Sequence, residues 1–205
     1  MRGYKTLASS RYHHGDLKSA LIGSAKQILK EDGANALSLR AIASAVGVSH
    51  MAPYSHFKNK KELFQAVAAS GFNELASNME AVRKDLTDPK EVILAYGGEY
   101  IRFAIDNPQL YRLMLGQAES ASNRKSEPKL SQKPQVSIEL EASSKKLYSL
   151  LRDAFALETD DQAKVKAQAL GAWSMVHGMA ALIIEGHISI PEGMTAKAFL
   201  ANSAF

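Results

Sequence analysis

Gly47, set between two short apolar-patterned stretches, constrains this chain more than any other residue. In residues 38–63 the sequence reads SLRAIASAVGVSHMAPYSHFKNKKEL. Leu39, Ile42, Ala43 and Val46 recur at helical spacing, with Ser38 placed to cap that helix. Gly47 then supplies a residue at ease with positive φ where the helix must stop. Val48 can plug the turn, and Ser49 is placed to cap a second helix through His50, Met51, Ala52, Tyr54 and His56. Ala43 is small enough for two helices to cross closely. Pro53 has no amide hydrogen and is expected to shorten or distort the second helix. Two architectures share this spacing: a helix-turn-helix, whose second helix enters the major groove of DNA, and an αα-corner of any helical protein. Spacing alone does not separate them.

Charge placement bears on that choice. Residues 1–60 hold nine Lys and Arg against three acids, an excess of six. The other 145 residues hold 16 against 18, so the net +4 of the chain is concentrated in its first third. A basic stretch that coincides with the two-helix pattern is the footprint of a phosphate-binding module. The chain has no cysteine, which excludes disulfides and thiolate chemistry and fits a reducing cytoplasm. No apolar signal core opens it, and no uninterrupted apolar run reaches membrane-spanning length, so a soluble protein without a membrane partner is expected.

Residues 1–14 lack helical periodicity and are read as a flexible arm, whose Arg2, Lys5 and Arg11 can reach phosphates or a minor groove. The adjacent His13 and His14 do not converge on one ion, so no metal site is assigned. A first helix is expected from Gly15 or Asp16 to Glu31, with Leu17, Leu21, Ala25, Ile28 and Leu29 as its stripe. Asn59 and Glu62 form a capping-box pattern that opens another helix at Lys60. Asp88-Pro89-Lys90-Glu91 is a strong helix start, and Asn107-Pro108 a stop. Gly97-Gly98 inside that helix marks a kink, a close helix crossing or a place where a ligand approaches the backbone, with the close crossing preferred. A short helix from Gln109 to Gln117 follows, and residues 117–135, polar and poor in anything to bury, are read as an exposed loop. A helix resumes near Val136. Thr159 and Gln162 suggest a capping box for a long helix ending near Gly186, and a last short helix follows Pro191. That long helix is apolar nearly all round from Ala167 to Ile184, a pattern most easily covered by an identical partner.

The stretch GVSHMAPYSHFKNKKELF, preceded by LSLRAIASAV, resembles the DNA-binding region of the TetR/AcrR family of bacterial transcription regulators. The elements that carry the likeness are Ser49, Tyr54, His56, Phe57, Lys60 and Leu63, and they cover the first third of the chain. The resemblance implies an all-α fold with two parts: a three-helix DNA-binding head (residues 15–60) and a helical-bundle C-terminal domain for effector binding and dimerisation (residues 61–205). It further implies a homodimeric repressor on a near-palindromic double-stranded operator. Ser49, His50 and Met51 would face bases, and Arg40 would read guanine. Ser38, Tyr54, His56 and Lys60 would hold phosphates.

Trp173, His177 and Gly178, in W-S-M-V-H-G, resemble a TetR-like subgroup named for a Trp-His-Gly motif. Together with Tyr96, Tyr100, Phe103, Met114 and Met175, Trp173 and His177 are the candidate walls of an effector pocket. Tyr96, Tyr100, Phe103, Met114 and Met175 are equally compatible with plain core, and for Trp173 and His177 a structural role is favoured over ligand contact. The lack of visible charge among them favours an apolar or aromatic effector. No cofactor is expected. The competing classes are an all-α enzyme, with His177, Glu185 and His187 near one helix end, and a protein-interaction module built on the helical body. The chain carries no glycine-rich phosphate loop and no G-x-S-x-G, so no catalytic residue is assigned.

Overall fold

A computed structural model of the chain describes residues 17–122 and 134–203. Among them stand eight α-helices and no strand: α1 (Leu17–Asp32), α2 (Leu39–Val46), α3 (Lys60–Arg83), α4 (Pro89–Asp106), α5 (Pro108–Ser122), α6 (Gln135–Phe155), α7 (Gln162–Ile184) and α8 (Ala196–Ser203). One 3₁₀ turn, Ala52–Ser55, lies between α2 and α3. The all-α expectation holds. The arm at residues 1–14 and the middle of the stretch 117–135 lie outside the described residues. At its near end, α5 runs on to Ser122, five residues past the expected stop. Gln117-Ala-Glu-Ser-Ala-Ser lacks large apolar residues but also lacks a helix breaker, and a helix needs no apolar face in order to continue.

The chain divides into two compact units, Met1–Ser70 with Arg112–Glu141, and Gly71–Tyr111 with Ala142–Phe205. The first unit is therefore larger than the 15–60 stretch read from the sequence. The break falls inside α3, where composition offers no linker to mark it.

Within the first unit, Leu21 and Leu29 of α1, Leu37, Ile42 of α2, Phe57 and Leu63 of α3 are fully buried. Each such side chain stabilises the fold by roughly 1.5–3 kcal/mol. α2 ends as its sequence predicts. The Ser38 hydroxyl accepts from Ala41 N at 3.1 Å, and Gly47 sits at φ 79° with its N–H and that of Val48 both bonded to Ala43 O. α3 opens on the expected box, with Glu62 N bonded to Asn59 Oδ1 at 3.0 Å and the Glu62 carboxylate accepting from Lys58 N at 2.9 Å. α6 joins this unit through Ser137, whose hydroxyl donates to Gln65 Oε1 at 3.1 Å in a buried pair, and through the Lys18–Glu139 ion pair at 3.2 Å.

The second unit is built on α4, whose residues from Val92 to Ala104 are almost all buried. Its N-terminus is capped by Asp88, which accepts from Lys90 N at 3.1 Å, and Pro89 occupies the first helical position. α8 crosses α4 at the two glycines. A Cβ on Gly98 would lie 2.7 Å from Lys197 Cα, and one on Gly97 would strike Leu200. The close crossing expected at Gly97-Gly98 is thus real. α7 is capped by Asp161, not by a Thr159–Gln162 box: its carboxylate accepts from Ala163 N at 2.9 Å and Lys164 N at 3.2 Å. Two candidate caps stand two residues apart here, and the ionised one takes the helix N-terminus. By length and composition alone α7 is apolar enough to cross a bilayer, with mean hydropathy 1.4 over its best window. The expectation of no such segment counted only uninterrupted runs. Val165, Ala169, Val176 and Ala180 form the buried stripe of α7.

Candidate functional site

The segment after Gly47 departs from the expected second helix. Ala52 N bonds Ser49 O, Tyr54 N bonds Met51 O and His56 N bonds Pro53 O, all three residues apart, at 3.0–3.1 Å. Pro53 cannot donate, so the α-helical ladder is not carried through, and the chain keeps one tight 3₁₀ turn with Pro53 buried beneath it. No side chain caps it, and Ser49 contributes only its carbonyl.

The consequence is an exposed ridge rather than a rod. Ser49, His50, Met51 and Tyr54 all face solvent, Met51 with 72% and Tyr54 with 50% of its surface open. Arg40 is exposed on α2, and Lys60 is exposed at the first position of α3 with Nζ 5.0 Å from the Phe64 ring centroid. Ser38 and His56 are half-buried, Ser38 holding the α2 cap and His56 lying 6.3 Å from Phe57, ring to ring. Lys58 and Lys61, also exposed, join Lys60 at the start of α3. The KNKK run was their signal in the sequence.

The second unit holds a cavity of about 440 Å³, within the range of small-molecule sites. α4 lines it with Ile93, Leu94, Tyr96, Gly97 and Tyr100, and α7 with Ala172, Trp173, Met175 and Val176. Leu147, Leu151 and Phe155 of α6, Met79 of α3 and Leu200 of α8 close the rest, with Lys90 and Glu158 as the charged members. Of the sequence candidates, Tyr96, Tyr100, Trp173 and Met175 come together here. Phe103 and Met114 are buried but do not line the cavity, Met114 belonging to the other unit. The α6 wall was missed because periodicity marks an apolar face without telling whether the space opposite is filled.

His177 stands just behind that wall. Tyr100 Oη lies 2.9 Å from His177 Nδ1, and Tyr111 Oη lies 3.3 Å from Tyr100 Oη and 3.4 Å from the same His177 nitrogen. Trp173 leans on Tyr100 at 6.0 Å and packs edge-on against Tyr148 at 5.8 Å. Burial pushes both tyrosine hydroxyls well above the ordinary phenol range, most strongly Tyr100, and lowers the His177 imidazole below its usual 6.5. The neutral ring, when protonated on Nε2, is the form that can accept a hydrogen bond from Tyr100. A lowered folded-state value means the unfolded chain takes up the proton first as pH falls. Burying the neutral ring therefore carries no charge penalty above 6.5, and stability is lost as pH falls through the lower folded value. His177→Gln should cost about 1 kcal/mol at neutral pH, a cost that shrinks at pH near 5. Melting temperatures of both proteins across that range measure it, and a gap independent of pH would refute the assignment.

A helix and 3₁₀ turn that present an exposed ridge flanked by Arg40, Lys58, Lys60 and Lys61, in one chain with a cavity-bearing helical unit, are the build of a DNA-binding transcription regulator. Residues 21–67 match the family described as "Bacterial regulatory proteins, tetR family", and residues 93–201, just over half of the chain, match "Tetracyclin repressor-like, C-terminal domain". The chain belongs to the TetR family. Its C-terminal match does not confirm the Trp-His-Gly subgroup. Over 149 residues it is 25% identical to the HTH-type transcriptional activator FasR of Mycolicibacterium smegmatis, covering 73% of this chain but only 65% of FasR. A protein of unknown function from Rhodococcus sp. RHA1 superposes with TM-score 0.70 at 26% identity, over 95% of this chain and 94% of that one. The TetR family regulator PfmR of Thermus thermophilus, at TM-score 0.55 and 22% identity over 86% and 90% of the two chains, shares the fold.

Proposed function

We propose that this TetR-family protein is a homodimeric, ligand-responsive repressor, with its DNA-binding part in residues 15–60 and its effector and dimer surfaces in residues 61–205. The observation that carries the reading is the exposed 49–54 ridge flanked by Arg40, Lys58, Lys60 and Lys61. Ser49, His50 and Met51 meet base edges, where Met51 suits a thymine methyl and Arg40 the two acceptors of guanine. Ser38, Tyr54, His56 and Lys60 hold phosphates and fix the register. Two such ridges reach half-sites about 34–36 Å apart on a near-palindromic operator. Family membership supports the dimer, and so does the open apolar side of α7, where Leu170 and Leu182 are exposed. An apolar or aromatic effector in the 440 Å³ cavity favours a dimer whose heads no longer fit both half-sites. No catalysis and no cofactor enter this reading, and the site of action is the cytoplasm.

Selection of bound genomic fragments identifies the operator. On it, Lys60→Ala should weaken binding to all duplexes alike and reduce the salt slope by about one for each phosphate released. Arg40→Ala should relax preference at one position per half-site, at a cost of about 1–3 kcal/mol. Unchanged salt dependence, or unchanged preference in a randomised selection, would remove the respective role. FasR is described as an activator, so the sign is read separately. Transcription in vitro from the selected operator should fall when the protein is added and recover with effector.

A further inference from the structure

The chain has no cysteine, so all of its sulfur lies in seven methionines. Their surroundings differ. Met79 and Met114 are buried, and Met175, Met179 and Met194 are half-buried. Met51 is the one exposed methionine among the described residues, with 72% of its surface open. It precedes the 3₁₀ turn, and its carbonyl accepts from Tyr54 N at 3.1 Å. The backbone is tied into the turn while the thioether is left to solvent. Ser49, His50 and Tyr54 around it are exposed as well. A thioether is oxidised where an oxidant can reach the sulfur, and here no thiol in the chain intercepts the oxidant first. Leucine would give the ridge an apolar side chain of similar size without that reactivity.

We propose that Met51 is a redox-modification site, oxidised by peroxide to the sulfoxide, and that the sulfoxide loosens the protein from its operator. The sulfur lone pair attacks one oxygen of hydrogen peroxide. The S–O bond forms, the O–O bond breaks, and the second oxygen leaves with both protons as water. Sulfur gives up two electrons and the peroxide takes them, so no further reactant enters. An apolar group suited to a thymine methyl becomes a strong hydrogen-bond acceptor that must shed its water to enter the groove. The turn is held by backbone bonds and by the buried Pro53 and Phe57, so the fold survives the change. Reductases that act on each sulfoxide epimer make it reversible. The inference rests on reading residues 49–54 as the ridge that meets DNA.

The full-length protein is treated with hydrogen peroxide, with and without the operator selected from genomic fragments, and its peptides are mapped by mass. Met51 should gain one oxygen ahead of Met79, Met114, Met175, Met179 and Met194, and bound operator should protect it. The treated protein should bind operator about tenfold more weakly, and recover when the two methionine sulfoxide reductases are added. Its melting temperature should match that of the untreated protein. Met51→Leu, whatever its own affinity, should bind equally well before and after treatment. A loss in Met51→Leu as large as in the parent assigns the effect to another residue and overturns the proposal. Oxidation of Met51 no sooner than of the buried methionines overturns the site, and a lowered melting temperature overturns the direct contact. Unchanged affinity after oxidation of an operator-protected Met51 overturns the switch but keeps the ridge. Oxidation at one rate with and without operator removes the ridge reading itself.

Discussion

On the proposed pairing of two chains through α7, replacing Leu170 by glutamate is expected to leave a folded monomer that no longer holds operator DNA. Ala167, Leu170, Gly171, Ser174, Gly178, Ala181 and Leu182 are all exposed and fall at spacings of three and four along α7, so they share one side of the helix. Leu170 is 60% and Leu182 45% open, and a Cβ at Gly171 or Gly178 would meet nothing within 4 Å. Small residues between exposed leucines let a second helix come close. Under twofold symmetry every contact occurs twice, so one substitution sets two carboxylates into the same apolar seam. Each buried unpaired ion costs several kcal/mol, enough to raise the dimer dissociation constant by about three orders of magnitude or more. Loss of the paired heads then removes the avidity of two half-sites, about 10²–10⁴ in affinity. The monomer should scarcely notice, since exposed positions usually change stability by no more than about 0.5 kcal/mol. Sedimentation gives the association state, and anisotropy on duplexes with one and two half-sites gives the avidity. A variant that stays dimeric with native helicity would show that α7 is not the interface.

What was legible beforehand follows the range of the forces involved. The end of α2 at Gly47, the box at Asn59 and Glu62, and the start of α4 at Asp88-Pro89 are each settled by atoms within four residues. Such features can be read from adjacent letters. Competition between neighbours is harder. Asp161 and Thr159 are both good caps, and only the path of the chain decides that Asp161 takes the amides while Thr159 accepts from Asp161 N. Pro53 was a visible warning, yet how far it would shorten its helix depended on whether Phe57 and Leu63 could be buried around a single 3₁₀ turn. They are, fully.

The cavity was the least legible part. Tyr96, Tyr100, Trp173 and Met175 were found because rings and thioethers stand out, and Phe103 was chosen for the same reason, yet it lies in filled core. Leu151 and Phe155 of α6 carry the ordinary signature of a packed helix. An empty volume is the difference between large opposing surfaces from α4, α6, α7 and α8, and no single helix encodes it. The same holds for the Tyr100–His177 bond, whose partners are 77 residues apart.

Gly98 gives a sharp mutational contrast with Gly23, because adding a side chain at the two positions should have opposite signs. Both glycines lie inside helices, and alanine there gains roughly 1 kcal/mol of helix propensity. At Gly23 a Cβ meets nothing within 4 Å, so Gly23→Ala should raise stability by about 0.5–1 kcal/mol. At Gly98 it would sit 2.7 Å from Lys197 Cα and Cβ and 2.9 Å from Lys197 N. Two of those are backbone atoms, which have no rotamer to escape into, so α8 itself must move. Overpacking of this kind costs about 1–3 kcal/mol for small insertions, and valine adds two more carbons. Gly98→Val should therefore lose about 2–3 kcal/mol net, a fall of roughly 4–12 °C in melting temperature at this chain length. The loss should also reach the cavity, since α8 brings Leu200 to its wall and Lys197 to the Glu91 carboxylate. A lifted α8 opens that wall, so Trp173 emission should shift toward its solvent-exposed value in Gly98→Val and stay unchanged in Gly23→Ala. If Gly98→Val melted with the parent and Trp173 were undisturbed, α8 would not be held against α4 at this crossing, and the cavity would lack the wall assigned to it.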